Sequence, residues 1–125
     1  MIALDSSALF AYLEGRGTAP AVAVGMVLGE RQACLPPVVL SEVLSDPKLP
    51  PQVAGLIKAL PVLDLSEGYW QRVGELRSRV LAKGLRARLA DALIAQSCID
   101  HEVGLVTADR DFRHFAKLGG LRLLP

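Results

Sequence analysis

Aromatic residues are scarce: three Phe, two Tyr and one Trp make up 5% of the chain. A core built without large rings has to come from Leu, Val, Ile and Ala, and that composition suits buried parallel strands covered by helices. Cysteine is nearly missing as well. Cys34 and Cys98 form no CxxC unit and have apolar neighbours, so both read as reduced core residues rather than a disulfide or a cysteine metal site. The first apolar run is followed by Asp5-Ser6-Ser7-Ala8, without the glycine-rich turn that a dinucleotide-binding loop needs. No stretch reaches the roughly 18 apolar residues of a membrane span. The opening Met-Ile-Ala-Leu-Asp carries no basic segment and meets an acid at position 5. It is not expected to be a signal peptide, and a cytoplasmic location is the default.

Net charge is almost absent too, at +1, so whole-chain electrostatics make no case for a nucleic-acid partner. The distribution says more. Six basic residues (Arg72, Arg77, Arg79, Lys83, Arg86, Arg88) and a single acid, Glu75, fall between positions 72 and 88. Such a run is either a solvated helix face or an edge that contacts phosphates.

What is present in quantity is apolar: 51% of 125 residues, enough for one core and one domain over residues 1–125. Residues 2–4 read as a strand ending at Asp5. A helix follows over 8–13, with Ser6 or Ser7 as its cap. A second helix spans 21–31, a strand 32–35 and a helix 38–44 carrying Glu42, stopped by Asp46-Pro47. A further helix starts at Pro50-Pro51 and runs to about Leu60, and 61–63 read as a strand. With Ser66 as its cap, the longest helix runs over 67–83, its apolar face made by Trp70, Val73, Leu76 and Val80 and its end marked by Gly84. A basic linker, 85–89, leads into an apolar helix over 90–102, with Leu93, Ile94, Cys98 and Ile99 facing the core and Gly104 as its stop. A strand over 105–107, a helix over 111–118 and a last strand over 121–124 complete the chain. Short strands alternating with helices predict an α/β fold, a three-layer α/β/α sandwich around a mostly parallel sheet of four or five strands.

Asp5 and Asp109 each follow a strand, so both should emerge at the same carboxyl edge of the sheet, where ligands of such folds bind. Glu42 lies in Val38-Val-Leu-Ser-Glu42-Val-Leu and Asp91 in Leu89-Ala-Asp91-Ala-Leu-Ile-Ala. Carboxylates in such apolar company are costly unless paired or bound to metal. Each acid also has an innocent explanation, weakest for Glu42, whose helix is nearly all apolar. Asp5, Asp109 or Asp111 could cap a helix, and Asp91 could complement a helix dipole. All four together need four coincidences, whereas a shared divalent cation accounts for them at once, and hard oxygen ligands select Mg²⁺ or Mn²⁺.

These segments resemble the motifs of the PIN-domain family, and within it the VapC-type toxins of bacterial and archaeal toxin–antitoxin pairs. Ile2-Ala-Leu-Asp5-Ser-Ser-Ala-Leu9 is similar to the first motif and Val39-Leu-Ser-Glu42-Val-Leu44 to the second. Leu89-Ala-Asp91-Ala-Leu-Ile-Ala-Gln96 is similar to the third, and Leu105-Val-Thr-Ala-Asp109-Arg-Asp111-Phe112 to the fourth. The resemblance implies a metal-dependent ribonuclease with Asp5, Glu42, Asp91 and Asp109 as catalytic, metal-holding acids. Asp111 and Thr107 would be auxiliary, and Ser6 or Ser7 would orient Asp5. Arg86, Arg88, Arg110 and Arg113 stand beside these motifs as candidate RNA contacts. The implied partners are RNA, a cognate antitoxin that lays a helix in a groove of the early helices, and a second copy in a homodimer. The apolar stretches 21–28 and 49–60 are candidate contact surfaces. The alternatives are a non-catalytic module of the same fold that binds RNA or protein, and a phosphatase-like phosphoryl-transfer domain. The latter usually has a second aspartate two residues after the first, where this chain has Ser7.

Overall fold

The computed structural model describes residues 1–124. The strands are β1 (Ile2–Leu4), β2 (Ala33–Cys34), β3 (Gly104–Val106) and β4 (Leu123–Leu124). They form one sheet in the order β2-β1-β3-β4, and every pairing is parallel. Among the described residues the helices are α1 (Ser6–Leu13), α2 (Ala19–Gly29), α3 (Pro37–Leu44), α4 (Pro51–Lys58), α5 (Tyr69–Ala82), α6 (Leu89–Asp100) and α7 (Phe112–Gly119). The α/β architecture expected from the alternation is therefore present, with four strands. Its strands are short, and the inner ones are buried: Ala3, Leu4, Cys34 and Leu105 have no exposed surface, while the edge strand β4 is half-buried. This is the pattern of strands covered on both faces.

From β1 the chain crosses to β2 on one side of the sheet, and from β3 it crosses to β4 on the other. The connections part between β1 and β3, and at such a switch point the loops leaving adjacent strands open a crevice beyond the carboxyl ends. Register Leu4↔Val106 brings Asp5 and Thr107 out side by side at that point.

Several local expectations are corrected. Residues 61–63 form no strand; a single parallel bridge, Leu35↔Val62, is all that pairs there. Pro61 has no N–H to extend the ladder. The longest helix starts at Tyr69, not 67, after Gly68 in the left-handed region at φ 80°, and Ser66 does not cap it. Its buried face is Tyr69, Val73, Leu76 and Val80, whereas Trp70 is 66% exposed. One residue rotates the position by about 100°, which separates the buried ring from the exposed one. α6 ends at Asp100, with Glu102 left-handed at φ 53°, so Gly104 opens β3 instead of stopping the helix. In α6, Ile94 and Cys98 are buried and Leu93 and Ile99 pack against the core. Cys34 and Cys98 are free and buried, as expected.

The basic run 72–88 divides into two kinds of residue. Arg72 grips Asp100 with two nitrogens, Nε to Oδ1 at 3.0 Å and Nη2 to Oδ2 at 2.7 Å. Gln96 donates to the same carboxylate at 2.8 Å. Burial alone would raise the Asp100 pKa, but these donors hold it below its ordinary value. Arg77 donates to the Ala87 carbonyl at 2.8 Å and pins the linker into α6. Those two arginines tie α5 to α6. Arg86 and Arg88 have no such bond among the described residues and stay exposed.

Candidate metal centre

Asp5 leaves β1 and turns directly into α1. Its Oδ1 accepts the Ala8 N–H at 2.9 Å, so Asp5 itself is the helix cap expected of Ser6 or Ser7. Capping and site membership are thus not rival explanations for this residue. Ser7 donates to Oδ1 at 2.8 Å and to Oδ2 at 2.9 Å, and Thr107 donates to Oδ2. Behind these hydroxyls stand two backbone donors. Ala108 N–H reaches Ser7 Oγ at 3.1 Å, and Asp109 N–H reaches Thr107 Oγ1 at 3.0 Å. Each hydroxyl has one proton. Accepting from the backbone leaves that proton free for Asp5, so the relay runs in one direction, from the 108–109 amides to the carboxylate. It locks the loop after β3 onto the start of α1.

Asp5 is 2% exposed. Burial raises its pKa despite the bonds from Thr107, Ala8 and Ser7, and the nearby Asp109 charge adds to the rise. Of the two serines, Ser7 is the one that orients Asp5. Ser6 reaches across 36 residues to donate to Glu42 Oε1 at 3.0 Å, so it steadies the second acid.

Asp91 sits in the first turn of α6, where Arg88 supplies no side-chain cap. Its Oδ2 is buried without a hydrogen-bond donor among the described residues. Burial, and then the charge of Asp109, push the Asp91 pKa up to about 6; Asp5 and Glu42 add to this and Arg88 opposes it. Asp109 and Asp111 come in on the loop before α7, held in shape by the Asp111 N–H, which donates to Asp109 Oδ1 at 2.9 Å. Asp111 occupies the cap position of α7 without making a capping bond. One oxygen each from Asp91, Asp109 and Asp111 lie within 4.8 Å of one another.

The fold therefore gathers all four expected acids at one crevice, though unequally. Asp91, Asp109 and Asp111 form the tightest group. Asp5 and Glu42 stand outside that 4.8 Å group but close enough to raise the Asp91 pKa. Three clustered carboxylates, one of them with a buried oxygen that no donor reaches, fit a hard divalent cation and are costly without one. Of the candidate RNA contacts, Arg110 and Arg113 adjoin Asp109 in one groove. Arg88 acts on Asp91 through its charge, and Arg86 forms no ion pair among the described residues. The least legible contributors were the 108 and 109 amides, because backbone donors leave no sequence signature. The proximity of Ser7 to Asp5, two residues apart at a strand–helix turn, was the available signal for the relay.

The sequence pattern of the PIN domain matches residues 2–118. A search among curated proteins returns no match. Among solved structures, the chain is similar to a chain in the crystal structure of VapBC2 from Rickettsia felis bound to a DNA fragment from their promoter. The TM-score is 0.73 at 23% identity, over 99% of this chain and 98% of that one.

Proposed function

Because this chain belongs to the PIN-domain family, we propose that it is a Mg²⁺- or Mn²⁺-dependent endoribonuclease and the toxin of a toxin–antitoxin pair. The observation that carries the reading is the Asp91–Asp109–Asp111 cluster with its buried, donorless Asp91 oxygen. When bound, a divalent cation lowers the pKa of water and offsets charge on a phosphoryl group.

The side chains have separable roles. Asp91, Asp109 and Asp111 hold the cation. Asp5 is fixed by three donors. Glu42, steadied by Ser6, completes the acidic wall. His101 bonds the Asp64 carbonyl. Arg86, Arg88, Arg110 and Arg113 are exposed and would meet phosphates to either side of the cut.

The antitoxin would lie on the apolar groove between α1, α2 and α4. Its volume is about 430 Å³, and Leu9, Tyr12, Leu28, Leu56 and Ile57 are among its lining residues. Leu56 is 70% exposed there. No helix among the described residues is long and apolar enough to cross a membrane.

The test is cleavage of unstructured RNA with and without Mn²⁺. Wild type should cut only with the metal, and Asp109→Asn should not cut. Full activity in Asp109→Asn would remove the assignment. Growth arrest on expression, relieved by the product of a small adjacent gene, distinguishes a toxin from a housekeeping nuclease.

A pH dependence follows. Asp91 must lose its proton to hold the cation, and its pKa is about 6. Mn²⁺ affinity should rise as pH rises through 6 and level off above 7, weakening about tenfold for each unit below 6 as one proton is displaced. Calorimetric Mn²⁺ titration across this range checks it, and a flat profile counts against Asp91 as a ligand.

A further inference from the structure

Asp91 is carried by the first turn of α6, and α6 does little to fix its own start. Arg88, at the cap position, makes no side-chain capping bond, so the first-turn N–H groups gain no partner from it. Among the described residues, two hydrogen bonds reach segment 86–88. One is the Ala92 N–H to the Arg88 carbonyl at 3.0 Å, which is the helix's own first turn. The other comes from outside, from Arg77 Nε to the Ala87 carbonyl at 2.8 Å.

A second bond from α5 arrives on the far side of Asp91. Tyr69 is 3% exposed. Its hydroxyl donates to the Leu93 carbonyl at 2.6 Å and accepts from Ser97 Oγ at 3.4 Å. A helical carbonyl already takes the N–H of the residue four positions on, so α6 does not need this second donor to complete itself. α5 is a firm support, because Val73, Leu76 and Val80 are buried in the core. Ala87 lies four residues before Asp91, and Leu93 lies two after it. α5 therefore holds the backbone on both sides of one acid. That acid has to keep an oxygen within 4.8 Å of those of Asp109 and Asp111. A misplacement of about 1 Å at a reacting centre can cost on the order of a hundredfold.

We propose that Arg77 and Tyr69 are positioning residues for the metal ligand Asp91, acting through the Ala87 and Leu93 carbonyls. The proposal rests on the metal-dependent nuclease reading above. It adds two residues outside the acidic cluster to those that set its affinity for the cation, and it gives Arg77 a role other than phosphate contact.

The chemistry of the bond supplies its own controls. Arginine Nε and glutamine Nε2 follow the same run of side-chain carbons. Arg77→Gln therefore keeps a donor at that place and drops the charge, whereas Arg77→Met keeps the length and drops both. Tyr69→Phe removes only the hydroxyl. The test is calorimetric Mn²⁺ titration of the full chain without RNA, at neutral pH and well below the melting temperature. Arg77→Met and Tyr69→Phe should each weaken Mn²⁺ affinity about tenfold, the lower end of what partners behind a metal ligand contribute. Arg77→Gln should bind as wild type does. In EDTA, the Ala92 amide should exchange about tenfold faster in Arg77→Met than in wild type or Arg77→Gln. Losing a bond from a charged donor lets that first turn open more often.

A bond that served the fold alone would lower the melting temperature and leave the Mn²⁺ affinity of the folded protein unchanged, and that result overturns the positioning role. So does an equal loss of affinity in Arg77→Gln and Arg77→Met, which would make Arg77 act through its charge. If the variants rank as expected in Mn²⁺ binding but wild type cuts no RNA, the nuclease reading falls and the positioning role stands. If wild type cuts RNA and all three variants bind Mn²⁺ as it does, the reverse holds.

Discussion

Asp91→Asn is expected to lose RNA cleavage and yet, without added metal, to unfold at a higher temperature than wild type. The loss follows from removing an oxygen ligand. Disturbing a group that merely orients a ligand costs about 10–100-fold, so losing the ligand should cost at least about a hundredfold. The gain in stability follows from the same feature. In the metal-free protein Asp91 carries a buried oxygen without a donor and faces the charges of Asp109, Asp5 and Glu42. Asparagine removes that charge and offers an N–H to the neighbouring carboxylates. A rise from 3.8 to about 6 corresponds to at most ~3 kcal/mol. For a half-buried group, solvent screening reduces this to about 1 kcal/mol, or a few degrees in melting temperature.

The sign with pH is fixed. The folded pKa lies above the unfolded one, so the wild-type contribution is fully present below pH 3.8 and is lost as pH rises through about 6. The advantage of asparagine should therefore appear above pH 6 and fade toward pH 4. Thermal melts in EDTA at the two ends of that window check it. A lower melting temperature for the variant above pH 6 contradicts the account of the cluster.

Asp5→Ala should be equally inactive but should move stability the other way. Three donors converge on Asp5, from Ser7, Thr107 and the Ala8 N–H, at a site 2% exposed. What the variant loses is the acceptor of those three donors. Losing a helix cap costs about 1 kcal/mol. Leaving the two hydroxyls without an acceptor costs about 1–3 kcal/mol more. A net loss of about 2–4 kcal/mol should lower the melting temperature by on the order of 10 °C. Two aspartates of one centre would then be alike in activity and opposite in stability. A melting temperature for Asp5→Ala at or above wild type would show that the relay from the 108–109 loop does not hold β3 and α1 together.

Much of this centre was legible in the sequence because strands and helix starts impose positions. An acid directly after β1 and another just beyond β3 had to emerge at one edge, and in a parallel sheet that edge is the ligand edge. Glu42 and Asp91 stood out because apolar helices tolerate an acid only for a reason. The errors share a different cause. Trp70 and Tyr69 are adjacent, and periodicity alone did not decide which of them turns inward; the bond from Tyr69 to the Leu93 carbonyl at 2.6 Å accompanies the buried one. Ser6 and Ser7 are also adjacent, and their partners, Glu42 and Asp5, were separated by the exit geometry of β1. The basic run 72–88 looked uniform, but Arg72 is committed to an acid 28 residues away. The groove beside Arg110 joins residues more than a hundred positions apart, Pro20 and Leu124. Short-range pattern carries no information about such a meeting.

The most direct measurement is the chemistry of the cut ends. If the acidic centre activates water, cleavage in isotopically labelled water should put one solvent oxygen on the terminal phosphate of the product. The reaction should stop in EDTA, and a deoxy-substituted residue at the cut should still be hydrolysed, since no 2′-hydroxyl takes part. Products ending in a 2′,3′-cyclic phosphate, formed equally well in EDTA, would contradict the account.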